Sequence, residues 1–433
     1  MYQSMHSQSD QPPKITPIII PRSEHPISRK MMDEEALKVL YRLHRHGFIA
    51  YLVGGSVRDL LLGKVPKDFD VVTNAHPHEI TSLFKNSRII GRRFRLAHVF
   101  FKGRKIIEVS TFRSRSEFEE IQTEAGEVYR TESFGTPEED ALRRDITING
   151  LFYNIADFSI IDYVGGMADL ERQVIRTIGD PNEKFQHDPV RMIRVIRQAA
   201  RTGFSVDQQT YHAIIQHGGE IRKCPTSRVR DEFLRDLKEG VAQSSLDLML
   251  RTGLLFSIFP DFLRVFGDRN PLKNRDQEFF LSLFGLVDQL IKINRPVSES
   301  VLLALFLVPF VRAVTPEHLF LGEREQYSYW TQTVRWAAHQ IMNPFSFPKG
   351  IKEMASQILI AQSTLKRALQ RGVISKRLRM KKYFQEAVLF FGIEAQANKE
   401  GMPHLLHNAV PSDLLPWWPK EFKRRRPTTH REI

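Results

Sequence analysis

The sequence predicts an α+β protein in which a small mixed-sheet head is followed by all-α neck and body domains. Three observations lead there. Short β-rich runs separated by turn signals fill roughly the first 165 residues. Apolar residues at helical spacing dominate from about residue 180 to about 395. The length, 433 residues, suits two to four domains. The expected divisions are a flexible leader (1–27), the head (28–165), a helical neck (166–240), an all-α body (241–419) and a basic disordered tail (420–433).

The leader is polar and carries Pro12, Pro13, Pro17, Pro21 and Pro26. Ser28 is the expected cap of the first helix, with Asp33, Glu34 and Glu35 ahead of the periodic Ala36, Leu37, Leu40 and Leu43. Gly47 is its expected stop. Residues 48–53 read as a buried strand ended by Gly54 and Gly55, and VRDLLLG as a short helix stopped at Gly63. A second strand is expected at 69–72 and a helix at 80–84. Residues 97–101 and 106–111 flank Lys-Gly-Arg-Lys, a hairpin signal. Residues 114–137 are polar and aperiodic, and read as a mobile loop. Residues 146–153 and 160–163 complete the expected sheet.

After Asp180 the pattern changes. Met192, Val195, Ile196, Ala199 and Ala200 open a helical series, with breaks expected at 267–271 and 343–350. VLLALFLVPFV (301–311) is about half the length needed to cross a bilayer, so it reads as a buried helix.

Charge narrows the function classes. Lys and Arg number 63 against 50 Asp and Glu, and the pI is near 9.7. This excess favours a polyanionic partner, nucleic acid or an anionic membrane. No long basic amphipathic helix supports the membrane reading. The single Cys224 excludes an intrachain disulfide framework and a Cys-based zinc site. It reads as an ordinary thiol in a reducing compartment. The N-terminus lacks the basic start and apolar core of a signal peptide. A monomeric cytoplasmic protein with no membrane partner is expected.

The strongest local signal is GGSVRDLLLG followed by KDFDVVT. Gly54 and Gly55 let the backbone approach a ligand closely, and the helix behind them presents free N–H groups to a phosphate. Arg58, one turn in, has the donor geometry for bidentate phosphate pairing. A plain strand–turn–helix corner is the simpler reading of the glycines alone. Asp68 and Asp70, one residue apart on a strand, would point to one side. Their mutual repulsion favours a divalent cation, and Mg²⁺ commonly bridges carboxylates and substrate phosphates. Glu108, in a second β-rich run, can complete a three-carboxylate site.

These motifs occur in one order: GGSVRD, DFD, EVSTFR, EEDALRRDITING and DPVRMIRVIR. In that order they resemble the class II tRNA nucleotidyltransferase and bacterial poly(A) polymerase family, over roughly residues 28–240. The resemblance implies a nucleotidyltransferase head that uses Mg²⁺ (or Mn²⁺). Gly55 and Arg58 match positions that hold the nucleoside triphosphate. Asp68 and Asp70 match the metal-binding carboxylates, and Glu108 the third acidic position. Arg144 and Asp145 match positions near the sugar and the reacting centre. Asp188, Arg191, Arg194 and Arg197 match a helix that reads the incoming base and contacts phosphate. Unaided, that helix offers an acceptor and a fork of donors one turn apart, enough for a base's Watson–Crick edge; a solvated Arg stripe is the simpler alternative. The family's usual Glu-Asp-Pro is here His187-Asp188-Pro189, which removes an acid that would brace Arg191. The His-Asp pair also suggests a metal phosphohydrolase, but the start of an Arg-rich helix is the wrong setting.

IIGRRFRLAHVFF (89–101) resembles a signature typical of the bacterial polymerases; CCA-adding relatives have a shorter, less basic segment. Arg92, Arg93 and Arg95 are expected near phosphates of primer or nucleotide. Lys423, Arg424, Arg425 and Arg426 form a basic arm suited to sequence-independent RNA binding. Trp417 and Trp418 are expected to pack on the body. The activity implied is addition of AMP from ATP to RNA 3′ ends, with RNA and ATP as partners. CCA addition to tRNA and a catalytically silent RNA-binding protein are the alternatives.

Overall fold

The computed structural model describes residues 15–91, 95–122, 128–267, 271–314, 323–400 and 406. The chain divides into two compact units. One runs up to Pro181 and takes in Phe204–Thr210. The other comprises Asn182–Gly203 and the chain from Tyr211 onward.

The first unit is built on short strands whose successive side chains face opposite sides of the sheet. Its strands are β1 (Ile18–Ile20), β2 (Ala50–Val53), β3 (Asp70–Thr73), β4 (Ser87–Ile90), β5 (Leu96–Phe100), β6 (Ile106–Thr111), β7 (Arg113–Gln122), β8 (Val128–Phe134), β9 (Leu151–Asn154), β10 (Ile160–Asp162), β11 (Val174–Ile175) and β12 (Ser205–Val206). Eight of them form one mixed sheet in the order β1-β10-β9-β2-β3-β6-β5-β4, with β3 and β6 parallel. Helices α1 (Glu34–Arg45), α2 (Gly55–Leu61) and α3 (Pro77–Leu83) bury one face. Val39, Leu40, Leu43, Val57, Leu60 and Ile80 meet Leu52, Val71, Val109 and Tyr153 there. The other face carries a smaller cluster of Val53, Val72, Phe112, Phe152 and Ile161, joined by Ala141 of α4 (Pro137–Arg143). A further short helix, α5 (Gly166–Glu171), follows β10.

Three readings of the head change. Residues 15–27 are not a loose leader: β1 pairs with β10, and Ile27 is fully buried. Residues 1–14 lie outside the described part. Ser28 caps only a single 3₁₀ turn (Arg29–Met31), whereas Asp33 caps α1, its carboxylate accepting from the Glu35 and Ala36 amides. The expected mobile loop at 114–137 holds the antiparallel ribbon β7–β8 and the start of α4. Ribbon pairing is made by backbone groups, so polar composition without an apolar period conceals it.

The second unit is helical: α6 (Pro181–His187), α7 (Arg191–Thr202), α8 (Gln208–His217), α9 (Thr226–Lys238), α10 (Ala242–Arg251), α11 (Leu254–Ile258), α12 (Phe262–Phe266), α13 (Pro271–Lys292), α14 (Glu299–Val314), α15 (Glu323–Met342), α16 (Lys349–Gln370), α17 (Lys376–Arg379) and α18 (Phe384–Ala397). Both expected breaks fall between helices. The apolar run at 301–311 lies buried within α14, and among the described residues no helix is long and apolar enough to cross a membrane. Phe233, Phe259, Phe262 and Phe306 form its aromatic centre, with ring centroids 4.8–6.2 Å apart. Cys224 is half-buried and free, and burial pushes its thiol up.

Candidate active site

Strand register assembles the head's acidic row. Val53 pairs with Asp70, Asp70 with Glu108, Glu108 with His98 and His98 with Arg88. Directly paired residues share a sheet face. Asp70 and Glu108 therefore stand side by side opposite the helix-covered core, while Val71 and Val109 point into it. Asp68 precedes β3, in the turn that enters it, so the expected two-carboxylate strand is one strand carboxylate and one loop carboxylate.

The Asp70 carboxyl is pushed up to about 6, first by loss of solvation, then by Glu108 and Asp68, against a lowering effect of Arg144. Its surface is nevertheless accessible to water. Accessible area combined with strong desolvation indicates a carboxylate surrounded by protein yet open on one side. Glu108 is half-exposed, with His98 Nε2 3.4 Å from its Oε1.

The glycine pair adjoins this row. Gly54 caps α2 at φ +76° and ψ −137°, a region essentially reserved for glycine. A Cβ there would lie 3.4 Å from the Arg144 guanidinium. Arg144, just past α4, is held by Asp140 at 2.7 Å and rests 5.5 Å over the Phe152 ring. The turn, Arg144 and the acidic row are thus brought together. Asp145 follows Arg144 and is half-buried; its carbonyl accepts from the Ile178 amide.

Arg58 departs from the expectation that it pairs with phosphate. Its side chain is 1% exposed, donates to Asp59 Oδ1 at 2.7 and 2.9 Å and to Asn149 Oδ1 at 2.8 Å, and packs beneath Gly55. It braces the turn from below.

In the helical unit, Asp188 begins the α6–α7 connection and Arg191 opens α7, with 3.6 Å between Asp188 Oδ2 and Arg191 Nε. The same Asp188 oxygen receives Arg228 at 2.9 Å. Arg194 meets Glu232 of α9 at 2.9 Å. Arg197 is a correction: neither solvated nor open to a nucleotide, it is buried between Glu232, at 2.6 Å, and Asp236. Burial raises the Asp236 carboxyl, whereas Arg197 and Arg194 hold Glu232 below its usual range. Sequence reasoning missed Arg228, Glu232 and Asp236; the available signal was the acidic pair at i,i+4 in DEFLRDLK. It also missed Arg88 and His98, which only register brings to the row. His187 is exposed. Arg95 is exposed before β5; Arg92, Arg93, Trp417, Trp418, Lys423, Arg424, Arg425 and Arg426 lie outside the described residues.

Among the described residues no three His, Cys, Asp or Glu side chains converge as a ready-made metal cage. The donor set still fits a hard divalent cation: adjacent carboxylates, one pushed up by desolvation and then by its acidic neighbours, suit an ion that shares its ligands with substrate phosphates and water.

Residues 50–176 match the family model described as the poly A polymerase head domain, and 203–265 the model described as the probable RNA and SrmB-binding site of polymerase A. Poly(A) polymerase I of Escherichia coli O6:H1 is 47% identical over 262 residues, covering 59% of this chain and 56% of that protein. The CCA-adding enzyme of Bacillus pumilus is 36% identical over 219 residues, covering 51% and 53%. The chain thus aligns with little more than half the length of these curated relatives. The crystal structure of Bacillus stearothermophilus CCA-adding enzyme in complex with CTP shares the fold, with a TM-score of 0.59 at 24% identity over 87% of this chain and 81% of that one. The fold and the acidic row therefore define a nucleotidyltransferase-type head joined to helical domains. Residues 50–176 and 203–265 carry the matched domains, and over them the chain is similar to the class II tRNA nucleotidyltransferase and poly(A) polymerase family.

Proposed function

We propose that this chain is a template-independent polynucleotide adenylyltransferase, which adds AMP from ATP to RNA 3′ ends and releases pyrophosphate. The observation that carries the reading is the in-register pair Asp70 and Glu108, on the open sheet face beside Arg144 and the Gly54–Gly55 turn. Greater identity to proteins named poly(A) polymerase I than to CCA-adding enzymes supports adenylate addition, as does the sequence at 89–101.

The Gly54–Gly55 backbone and Arg144 receive the triphosphate, with Arg58 as a positioning residue rather than a ligand. Asp68 and Asp70 would hold Mg²⁺ or Mn²⁺, whose chemistry when bound would be to ease ionisation of the attacking 3′-hydroxyl and to offset charge on the leaving pyrophosphate. Glu108 and Asp145 orient groups at the reacting phosphorus. Asp188 and Arg191 select the base, with Arg228 holding the Asp188 carboxylate; Arg194, still partly exposed, lies within reach of phosphate. Arg95, with Arg92, Arg93 and the Lys423–Arg426 arm, binds RNA backbone. The head, neck, body and tail divisions are kept as the proposed domains, with 15–27 joining the head and with 166–181 and 204–210 of the neck lying in the head's compact unit. A soluble, cytoplasmic monomer is the setting proposed.

The test is primer extension on a generic RNA with Mg²⁺ and each NTP separately, beside a tRNA lacking its CCA end. Long products with ATP alone, abolished in Asp68→Ala and Asp70→Ala, are expected. Arrest after three added residues on tRNA, with a requirement for CTP, would make the chain a CCA-adding enzyme. RNA binding without any turnover would leave a silent RNA-binding protein.

A further inference from the structure

Outside both family-matched segments, the helical unit carries an unbalanced stretch of charge. Residues 354–385 contain eight cations (Lys366, Arg367, Arg371, Lys376, Arg377, Arg379, Lys381 and Lys382) and no Asp or Glu. Six of these occupy the connection from α16 to α18, which is ordered rather than loose. Gly372 turns the chain at φ +71°, and Ser375 caps α17, its hydroxyl accepting from the Leu378 amide. Ile374, Leu378 and Phe384 are buried and pin the backbone. The cations between them face water.

Several cations elsewhere in this unit have carboxylate partners, as in Arg312 with Glu394 at 2.7 Å and Arg251 with Asp247 at 2.8 Å. Among the described residues Lys366, Lys376, Arg377, Arg379, Lys381 and Lys382 have none. Holding like charges together on a fixed turn is unfavourable unless an anion joins them. Aromatic surface adjoins the charge. The Arg367 guanidinium lies 5.2 Å over the ring of Tyr327, which is exposed, and Tyr383 stands near Tyr327. Met380, 76% exposed, adds apolar surface between the cations. Uncompensated cations tracking a backbone, with aromatic faces for bases, are the features of a sequence-tolerant single-strand platform.

We infer that the α16–α18 connection, with Tyr327, is a docking ledge for the sugar-phosphate backbone of single-stranded RNA upstream of the 3′ end. This rests on the proposed adenylyltransferase reading and names a second grip on the same substrate. The ledge holds the RNA body while the head acts on its terminus, so it affects long substrates and spares short ones.

The test uses the full chain and the variant Lys376→Gln, Arg377→Gln, Arg379→Gln, Lys381→Gln, all at exposed positions. Binding of a long unstructured RNA ending in a 3′-deoxynucleotide is followed by anisotropy across a KCl series. The expected result is about tenfold weaker binding, with the slope of log K against log salt reduced by roughly 2 to 3, since each single-strand phosphate contact contributes about 0.7. KM for long RNA should rise with kcat unchanged, while extension of a minimal oligonucleotide stays at the wild-type rate. Tyr327→Ala should weaken binding without changing the slope. An unchanged salt slope and KM would mean the cations are only solvated, and would overturn the ledge. Equal binding of RNA by both proteins, with loss of anionic-vesicle binding in the variant, would assign the surface to a membrane instead. Failure of the wild type to extend any primer would refute the adenylyltransferase reading, and the binding series would still judge the ledge.

Discussion

Replacing Arg197 with Met tests whether that side chain belongs to the core or to the nucleotide. Removal leaves Asp236, 1% exposed, without its guanidinium, whereas Glu232 keeps Arg194 at 2.9 Å. Breaking a buried pair by removing one partner costs about 3–5 kcal/mol. Burial already raises the Asp236 carboxyl to about 7 against Arg197's opposing pull, so without Arg197 it rises further. The folded variant then binds a proton that the unfolded chain, with an ordinary carboxyl near 3.8, does not. Stability of the variant therefore increases as pH falls, by at most about 1.4 kcal/mol per pH unit for one proton. The expected loss is roughly 3–5 kcal/mol at pH 8 and clearly less at pH 6. Hydrogen exchange of the α7 and α9 amides reads it, since local opening need not involve the whole chain. Asp236→Leu in the same background should recover much of the loss. KM for ATP at low temperature should stay within about twofold of wild type, far from the tenfold that 1.4 kcal/mol of lost binding would give. A loss under about 1 kcal/mol at both pH values, together with a tenfold higher KM for ATP, would refute the reasoning and return Arg197 to the nucleotide.

Two further substitutions probe the head. Asp70→Asn should abolish extension yet raise metal-free thermal stability at pH 7. Lifting the carboxyl from 3.8 to about 6 corresponds to at most about 3 kcal/mol, and solvent screening reduces this to roughly 1. The gain should be full above about pH 6 and absent below about pH 4, where both folded and unfolded carboxyls are protonated. Mg²⁺ should stabilise the wild type more than the variant in thermal scans, and no difference between them would place the cation elsewhere. Gly54→Ala should destabilise the head by roughly 1–3 kcal/mol, because φ +76° with ψ −137° excludes a side chain. Its KM for ATP should rise as the strained backbone of the turn shifts, and an unchanged KM would separate the turn from the triphosphate.

What the sequence determined by itself was whatever depends on residues close together in the chain. The glycine pair, the acid at Asp70, the hairpin around Lys102 to Lys105 and the helical period after residue 190 are local signals, and local sterics and hydrogen bonding enforce them. The order of the motifs carried the family resemblance. Tertiary structure decided the partners. Glu108 stands beside Asp70 because β3 and β6 pair in parallel, a register that no local pattern specifies. His98 enters the same row across the β5–β6 hairpin and Arg88 through the antiparallel β4–β5 pairing. Arg58 and Arg197 look in the sequence like cations waiting for phosphate. In the fold each is buried, and a buried cation takes the carboxylates within reach, Asp59 for one, Glu232 and Asp236 for the other. Burial is a property of the whole assembly of elements, so the same arginine in the same motif is a ligand or a brace according to what packs over it.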